Sequence, residues 1–152
     1  MNNKNSNMTV EFDSISKNES FARVVVAAFV ARLDPTLVEI SDIKTAVSEA
    51  VTNSIIHGYE NQIGRIKIDV SIDGDEVTIV VTDNGIGIDN IEKAMEPMYT
   101  SKPELERSGM GFAFMEAFMD ELSVESNPGE GTIITMRKVI GKEDDNWDKE
   151  LD

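Results

Sequence analysis

Two alternating stretches joined by a tight turn constrain the fold of this chain more than any other feature. From residue 66 to residue 72 apolar side chains alternate with polar ones, Asp73-Gly74 follows, and the alternation continues from Val77 to Asp83. A period of two is typical of strands with one buried face, and an Asp-Gly pair favours a two-residue hairpin turn. The pattern predicts a β-hairpin whose second strand ends at Asp83, which places this acid at the edge of a sheet.

Asp83 also opens the first of two glycine motifs, Asp83-x-Gly85-x-Gly87 and Gly109-x-Gly111. Glycine lets backbone N–H groups approach a phosphate closely, and a helix that begins near the second motif adds its positive N-terminal end. A carboxylate at a strand end can accept a hydrogen bond from an amino group such as that of adenine. The motifs predict a nucleotide pocket, although each taken alone is equally typical of an ordinary strand-to-loop turn.

The span between the two glycine motifs is polar and carries several groups that suit a phosphate. Its candidate ligands are Thr100, Ser101, Lys102, Arg107 and Ser108, followed by Met110 within the second motif. We interpret residues 97–108 as a movable cover over the pocket.

A helix predicted to open at Ser41 or Asp42 and to end near Gly58 supplies the third element. Its buried face is expected to consist of Ile43, Ala46, Val47, Ala50, Val51 and Ile55. Glu49, Asn53 and His57 are spaced four apart and therefore share a different face of the helix. The Asn53 carbonyl oxygen suits Mg²⁺, and Glu49 could accept a proton from an attacking hydroxyl. The same spacing also fits a solvated helix face, and His57 could equally be a hydrogen-bonding group at the helix end.

The remaining pattern predicts an α/β chain. Strands are expected at 8–12, 122–126 and 132–140, and helices at 16–33, 91–96 and from Gly111, with a separate helical turn at Asp34-Pro35. The first helix is expected to bury the stripe Phe21, Val24, Val25, Ala28, Phe29 and Leu33. Arg23 falls off this stripe, so it is either a solvated charge or a partner contact. Thr132 follows a glycine and is either a pocket hydroxyl or simply a good strand former.

Composition limits the classes of function. The chain has 152 residues and a formal net charge of −15, which argues against binding to nucleic acid and to anionic membranes. It contains no cysteine, and its first residues are polar, without the apolar run of a signal peptide. We expect a cytoplasmic protein with one domain at 1–141 and a flexible acidic tail at 142–152.

Together, the motifs resemble those of the GHKL superfamily of ATP-binding proteins, which includes gyrase B, Hsp90, histidine kinases and MutL. The order is Glu49-x-x-x-Asn53, Asp83-x-Gly85-x-Gly87, Gly109-x-Gly111 and then Gly131-Thr132. Within this superfamily, the runs 20–23, 48–53 and 101–111 resemble closely the anti-sigma-F factors of endospore-forming bacteria, which are serine kinases. The resemblance covers the chain from about residue 8 to residue 140.

The resemblance implies a fold and a role for each site residue. The fold would be the Bergerat ATP-binding fold, a two-layer α/β sandwich with helices on one face of a mixed, mostly antiparallel sheet. ATP and Mg²⁺ would lie under the cover, with Asn53 as the metal ligand and Glu49 as the group that orients or deprotonates the substrate serine. Asp83 would bind the adenine amino group, and Arg23 would lie on the partner surface. The residues implied to contact the nucleotide are Asn53, Asp83, Gly85, Gly87, Thr100, Ser101, Lys102, Arg107, Ser108, Gly109, Met110, Gly111 and Thr132.

The implied protein is a homodimer that holds a sporulation sigma factor inactive and phosphorylates a serine of an anti-anti-sigma antagonist. Two alternatives stay open. A histidine-kinase ATP-binding domain would share the pocket, but His57 is the only histidine in the chain and lies in the helix assigned to ATP. A non-catalytic, nucleotide-gated binding module would need no catalytic role for Glu49.

Overall fold

A computed structural model describes residues 5–96 and 111–141. These residues form five strands and four α-helices. The strands are β1 Ser6–Asp13, β2 Arg65–Asp73, β3 Glu76–Asp83, β4 Glu121–Ser126 and β5 Thr132–Val139; the α-helices are α1 Lys17–Val30, α2 Leu37–Asn53, α3 Ile91–Ala94 and α4 Gly111–Phe118. A 3₁₀ turn extends α1 over Ala31–Leu33, and a π-helical turn extends α2 over Ser54–Gly58.

The strands form one sheet in the order β1-β2-β3-β5-β4, and every pairing among the described strands is antiparallel. The expected α/β two-layer architecture is confirmed, and no parallel pair accompanies the antiparallel ones. Burial alternates along β2 and β3, because only one face of the sheet is covered by the helices. No helix in the described ranges is long and apolar enough to cross a bilayer.

The core lies between this sheet face and helices α1, α2 and α4. The face predicted for α2 is buried as expected and consists of Ile43, Ala46, Val47, Ala50, Val51 and Ile55. The predicted hairpin is also found, with Asp73 paired to Glu76 across the turn and Asp83 paired to Ile66 at the other end. Asp83 therefore lies at the end of a central strand, where the helices reach over it.

The stripe expected on α1 is wrong in part, although Phe29 and Leu33 pack against the core as predicted. The helix buries Ala22, Val26 and Val30, whereas Phe21 and Val24 are exposed. The reason is that small Ala22 and β-branched Val26 and Val30 permit a close approach to α2 and the sheet, and the sequence stripe weighted the larger side chains. An apolar surface consequently remains on the outer side of α1.

The start of α2 was also predicted wrongly. The helix begins at Leu37 without a separate turn before it, and Thr36 caps it. The Thr36 hydroxyl accepts a hydrogen bond from Glu39 N–H at 3.1 Å, while the Glu39 carboxylate accepts one from Thr36 N–H at 2.9 Å. This reciprocal pair of hydrogen bonds is a capping box, and Thr36-x-x-Glu39 matches the sequence pattern of that motif.

Candidate functional site

Asp83 is a buried carboxylate held from two sides. Ser54 donates its hydroxyl to Asp83 Oδ2 at 2.8 Å, and Gly85 donates its backbone N–H to Asp83 Oδ1 at 2.9 Å. The residue is only 2% exposed. A carboxylate oxygen accepts more than one hydrogen bond, so each oxygen retains capacity for a further donor such as an adenine amino group.

The environment of Asp83 disfavours the ionised form of its carboxyl group. Desolvation by burial raises the pKa of the Asp83 carboxyl above its ordinary value, and the hydrogen bonds from Gly85, Ser54 and Thr132 offset this only in part. A buried acid with a raised pKa at the mouth of a glycine-lined loop is typical of a functional site.

Glycine is required where the loop after Asp83 meets the end of the extended α2. Gly58 accepts a hydrogen bond from Ile86 N–H at 2.9 Å through its carbonyl oxygen. A Cβ on Gly85 would lie 2.1 Å from that same oxygen, and a Cβ on Gly58 would lie 3.0 Å from the Asp83 carboxylate oxygens. The two glycines therefore allow the helix end to lie directly against the acid.

The other side of this loop rests on the turn between β4 and β5. Gly87 has a φ of +78°, and a Cβ there would lie 2.1 Å from the Asn127 carbonyl oxygen. Ser126 Oγ accepts a hydrogen bond from Ile88 N–H at 2.8 Å and donates to the Gly131 carbonyl at 2.7 Å. It also lies 3.0 Å from Thr132 Oγ1. The strand-end loop is thus fixed by backbone contacts on both sides.

The π-helical turn is what aligns the helix end with Asp83. Tyr59 N–H bonds to the Ser54 carbonyl at 2.9 Å, five residues back, which widens the last turn. Tyr59 then donates its hydroxyl to the Arg65 carbonyl and accepts Asn84 N–H at 2.8 Å. Because this turn positions both Ser54 and Tyr59 around the acid, the local departure from α-helical geometry has a clear structural role.

Glu49 and Asn53 lie on α2 immediately before this turn, and both are half-buried. Glu49 lines a cavity of about 1080 Å³ that runs over the outer side of α2. The same cavity is lined by Glu19, Ser20 and Arg23 of α1, by Lys44, Ser48 and Thr52 of α2, and by Phe114 of α4. Asp83, Gly85 and Thr132 are not among the described residues that line this cavity.

The groove between α1 and α2 contains two buried polar atoms without hydrogen-bond partners among the described residues. These atoms are Arg23 Nε and Ser48 Oγ. Arg23 lies 3.5 Å from the Glu19 carboxylate and donates to Ser20 Oγ at 3.3 Å, both on its own helix. Arg23 lines the same groove as Glu49, and its side chain is 41% exposed, so the partner contact proposed for it stays a prediction.

The residues present fit a nucleotide with its metal. The Asp83 carboxylate is an acceptor that suits an adenine amino group, and close contacts at Gly58, Gly85 and Gly87 hold the loop beside it. No group of three His, Cys, Asp or Glu side chains in residues 5–96 and 111–141 could cage a metal ion by itself. Mg²⁺ is often held by one or two protein oxygens together with substrate phosphates, and the Asn53 amide matches that limited donor set.

Part of the predicted site lies outside the described residues. This applies to Thr100, Ser101, Lys102, Arg107, Ser108, Gly109 and Met110, and to the predicted cover as a whole. Gly111 is the first residue of α4, in accordance with the helix start expected near the second glycine motif.

Three residues that surround Asp83 were missed from the sequence, namely Ser54, Tyr59 and Ser126. Glu49 and Asn53 were singled out by their spacing of four residues, and Ser54 does not share that spacing. The contact of Ser54 with Asp83 depends on the π-helical turn. Tyr59 follows the His57-Gly58 pair, and no simple spacing rule connects it with Asn84. Ser126 ends a strand, where a polar residue is unremarkable.

Comparisons with known proteins are consistent with this geometry. Residues 16–138 match the family described as a histidine kinase-like ATPase domain. An anti-sigma F factor of Clostridium kluyveri is 67% identical over 133 residues, which are 88% of this chain and 94% of that protein. The anti-sigma F factor of Thermoanaerobacter sp. strain X514 is 62% identical over 136 residues, with 90% and 95% covered.

The fold has a counterpart among solved structures. A crystal structure of the RsbU and RsbW domains of a Mycobacterium tuberculosis protein aligns with a TM-score of 0.64 at 20% identity. The alignment covers 89% of this chain and 32% of that longer one, so this chain spans about a third of it. The fold is shared, and the high-identity relatives narrow the assignment further: this chain belongs to the anti-sigma F factor family and contains a histidine kinase-like ATPase domain.

Proposed function

We propose that this protein uses Mg-ATP to phosphorylate a serine of an anti-anti-sigma protein, and that it also holds a sporulation sigma factor inactive. The observation that carries the proposal is the arrangement around α2. Ser54 and Gly58, at the extended end of this helix, contact Asp83, while Glu49 and Asn53 precede them on the same helix. One rigid element thus connects the predicted base pocket with the predicted catalytic groups.

Each residue has a defined task in this proposal. Asp83 accepts the adenine amino group, and Gly87 and Thr132 border the base. Asn53 contributes its amide oxygen to Mg²⁺. Bound Mg-ATP supplies the transferable phosphoryl group and neutralises its charge. Because phosphoryl transfer depends mainly on positioning and electrostatics, the protein needs few reactive groups.

Glu49 orients the incoming serine hydroxyl and accepts its proton. It lines the open groove next to Arg23, so a serine-bearing segment that enters between α1 and α2 passes this carboxylate. The residues of the span 100–111 are proposed to contact the phosphates, with Lys102 and Arg107 as charge partners.

The sigma factor role is supported by the relatives, which share 62–67% identity over most of both chains and are named anti-sigma F factors. We further propose a cytoplasmic homodimer. Its formation is supported by Phe21 and Val24, which are exposed on α1, and by β1, which pairs with β2 along one edge only within the described sheet. A second copy could cover both features.

The deciding experiment is transfer of labelled phosphate from Mg-ATP to a purified anti-anti-sigma protein. Glu49→Ala should lower the rate of transfer by about 10²- to 10⁴-fold, as expected for loss of a general base, while ATP binding measured by calorimetry is retained. Glu116→Ala is the matched control, because Glu116 is an exposed carboxylate on α4. Substitution of the acceptor serine by alanine in the substrate should remove the labelled product.

Two results would contradict the role of Glu49, and two others would contradict the serine kinase assignment. Full transfer by Glu49→Ala would contradict the role of this residue, and simultaneous loss of ATP binding would show that Glu49 serves the pocket. No transfer by the wild-type protein, with ATP bound, would favour a nucleotide-gated binding module. Transfer to histidine in place of serine would favour the histidine-kinase alternative.

A further inference from the structure

The last described residue, Gly141, is fixed against the start of α2. Gly141 donates its N–H to Glu39 Oε2 at 2.8 Å, across 102 residues of sequence. The other oxygen of this carboxylate accepts Thr36 N–H in the capping box. The preceding residue, Ile140, is buried and donates its N–H to the Asp75 carbonyl at 2.8 Å. The chain beyond 141 therefore leaves the domain beside the first turn of α2.

The first turn of α2 carries an exposed apolar patch, which consists of Leu37 and Val38. Leu37 is 87% exposed, the largest value among the exposed large apolar side chains described, and Val38 is 69% exposed. Both immediately precede Glu39, the residue that holds Gly141. Leu37 also lines one end of the α1–α2 groove, together with Lys44.

Residues 142–152 have the composition to cover this patch. They contain Trp147, the only tryptophan of the chain, and Leu151, among six acidic residues and two lysines. Trp147 is six positions beyond Gly141, and an extended chain of that length reaches about 20 Å at most. The apolar patch lies within this distance, because Leu37 and Gly141 both adjoin the first turn of α2.

The charge pattern favours this contact only in part. The N-terminal end of a helix carries a partial positive charge that favours acidic groups nearby. Lys44 adds a full positive charge further along the same groove. Glu39 in the same first turn and Glu19 and Glu49 along the groove oppose it, so burial of the tryptophan is the stronger attraction.

We propose that residues 142–152 bind back on the first turn of α2, with Trp147 packed on Leu37 and Val38. The binding is intramolecular, and it does not depend on the kinase assignment.

Fluorescence of the single tryptophan tests the proposal directly. In the full-length protein, Trp147 should emit at shorter wavelength and resist acrylamide quenching better than a synthetic 142–152 peptide. The Leu37→Ser, Val38→Ser double variant should shift the emission to the wavelength of the peptide and increase quenching. Both side chains are largely exposed, so the variant should keep its fold, and far-UV circular dichroism checks this.

Ile63→Ser is the matched control. Ile63 is also a highly exposed apolar residue, at 74%, but it follows the C-terminal end of the extended α2. Leu37 and Gly58, at the two ends of this helix, are about 30 Å apart along its axis, beyond the reach of Trp147. This control should leave the emission unchanged.

Three outcomes would overturn the proposal. The first is an emission spectrum of the wild-type protein that equals that of the peptide. The second is an equal shift in Ile63→Ser and in the double variant. The third is a shift that appears only as the protein concentration rises, because that result would assign the contact to a second copy of the chain.

Discussion

The surroundings of Asp83 and the α1–α2 groove are built in different ways. Around Asp83, the loop, the helix end and the β4–β5 turn are in direct backbone contact, and the carboxylate already has hydrogen-bond donors on both oxygens. Along the α1–α2 groove, by contrast, Arg23 Nε and Ser48 Oγ are buried without hydrogen-bond partners in the described part of the chain, although Arg23 Nε lies 3.5 Å from the Glu19 carboxylate. The first region is already fixed by its own contacts, and the second retains groups that could form further hydrogen bonds.

The difference fits the proposed function, in which Asp83 binds a nucleotide base and the groove receives a protein segment. A base pocket must hold one rigid shape, and close backbone packing supplies that shape without reorganisation on binding. A groove that receives a protein segment gains specificity from polar groups that become paired only in the complex. Substitutions that affect one region and spare the other can therefore test the contrast.

The largest expected effect is that of a Cβ added inside the preorganised region. Gly87→Ala should lower the free energy of unfolding by about 2–5 kcal/mol, because a positive φ is combined with an overpacked contact to the Asn127 carbonyl. Gly129→Ala is the control, since Gly129 has the same φ of +78° and no heavy atom within 4 Å of its added Cβ. Urea denaturation measures both losses.

Gly129→Ala should cost only the backbone strain, about 1 kcal/mol. Equal losses in the two variants would show that the Gly87 contact is not tight and would weaken the contrast between the two regions. ATP affinity, measured by calorimetry, should fall in Gly87→Ala and stay unchanged in Gly129→Ala.

A smaller effect separates two serines of the same continuous helix. Ser54→Ala should lower the free energy of unfolding by about 1–3 kcal/mol, because it removes a buried donor to Asp83. Ser48→Ala should leave stability unchanged or raise it, since its buried hydroxyl has no partner among the residues described. Thermal or urea unfolding of the two variants provides the comparison. An equal loss of stability in Ser48→Ala would show that the Ser48 hydroxyl, like that of Ser54, is hydrogen-bonded in the folded protein.

The smallest expected effect is a difference in pH dependence. The pKa of Asp83 in the folded state lies above its ordinary value of 3.8, so ionisation of this group costs folding free energy. Its contribution is absent below the unfolded-state pKa, and it lowers stability as the pH rises through the folded-state pKa. Asp83→Asn cannot ionise, and a rotated Ser54 hydroxyl can accept its amide N–H, so this decline should disappear.

Urea denaturation at about pH 4 and about pH 8 measures the free energy of unfolding of both proteins. The readout is the difference in this free energy between wild type and variant at each pH. Other acids titrate in both proteins and cancel in that difference. Parallel stability profiles would refute the raised pKa. Asp83→Asn should also weaken ATP binding, because the amide presents a donor where the adenine amino group needs an acceptor.

The sequence predicted the strands, the hairpin and the buried face of α2 well, because alternation and helical periodicity report local burial directly. It failed on the face of α1, where size misled the choice of buried residues, and on the start of α2, where the Thr36–Glu39 capping box was overlooked. The roles proposed for Asp83 and Gly85 stay predictions, but the position of Asp83 at a strand end beside a glycine loop could be inferred from its motif. The hydrogen bond from Ser54 to Asp83 could not be inferred, since it needs a π-helical turn, which the spacing of apolar residues does not predict.

The sequence by itself thus determined the elements, the order of the glycine motifs and the residues with useful chemistry. Only the tertiary structure decided that the extended end of α2 lies against Asp83 and that Glu49 lines a cavity together with residues of α1. The physical reason is that local patterns encode which side of an element is buried. The meeting of Gly58 with Asp83 depends on how that helix end and β3, from distant parts of the chain, pack together.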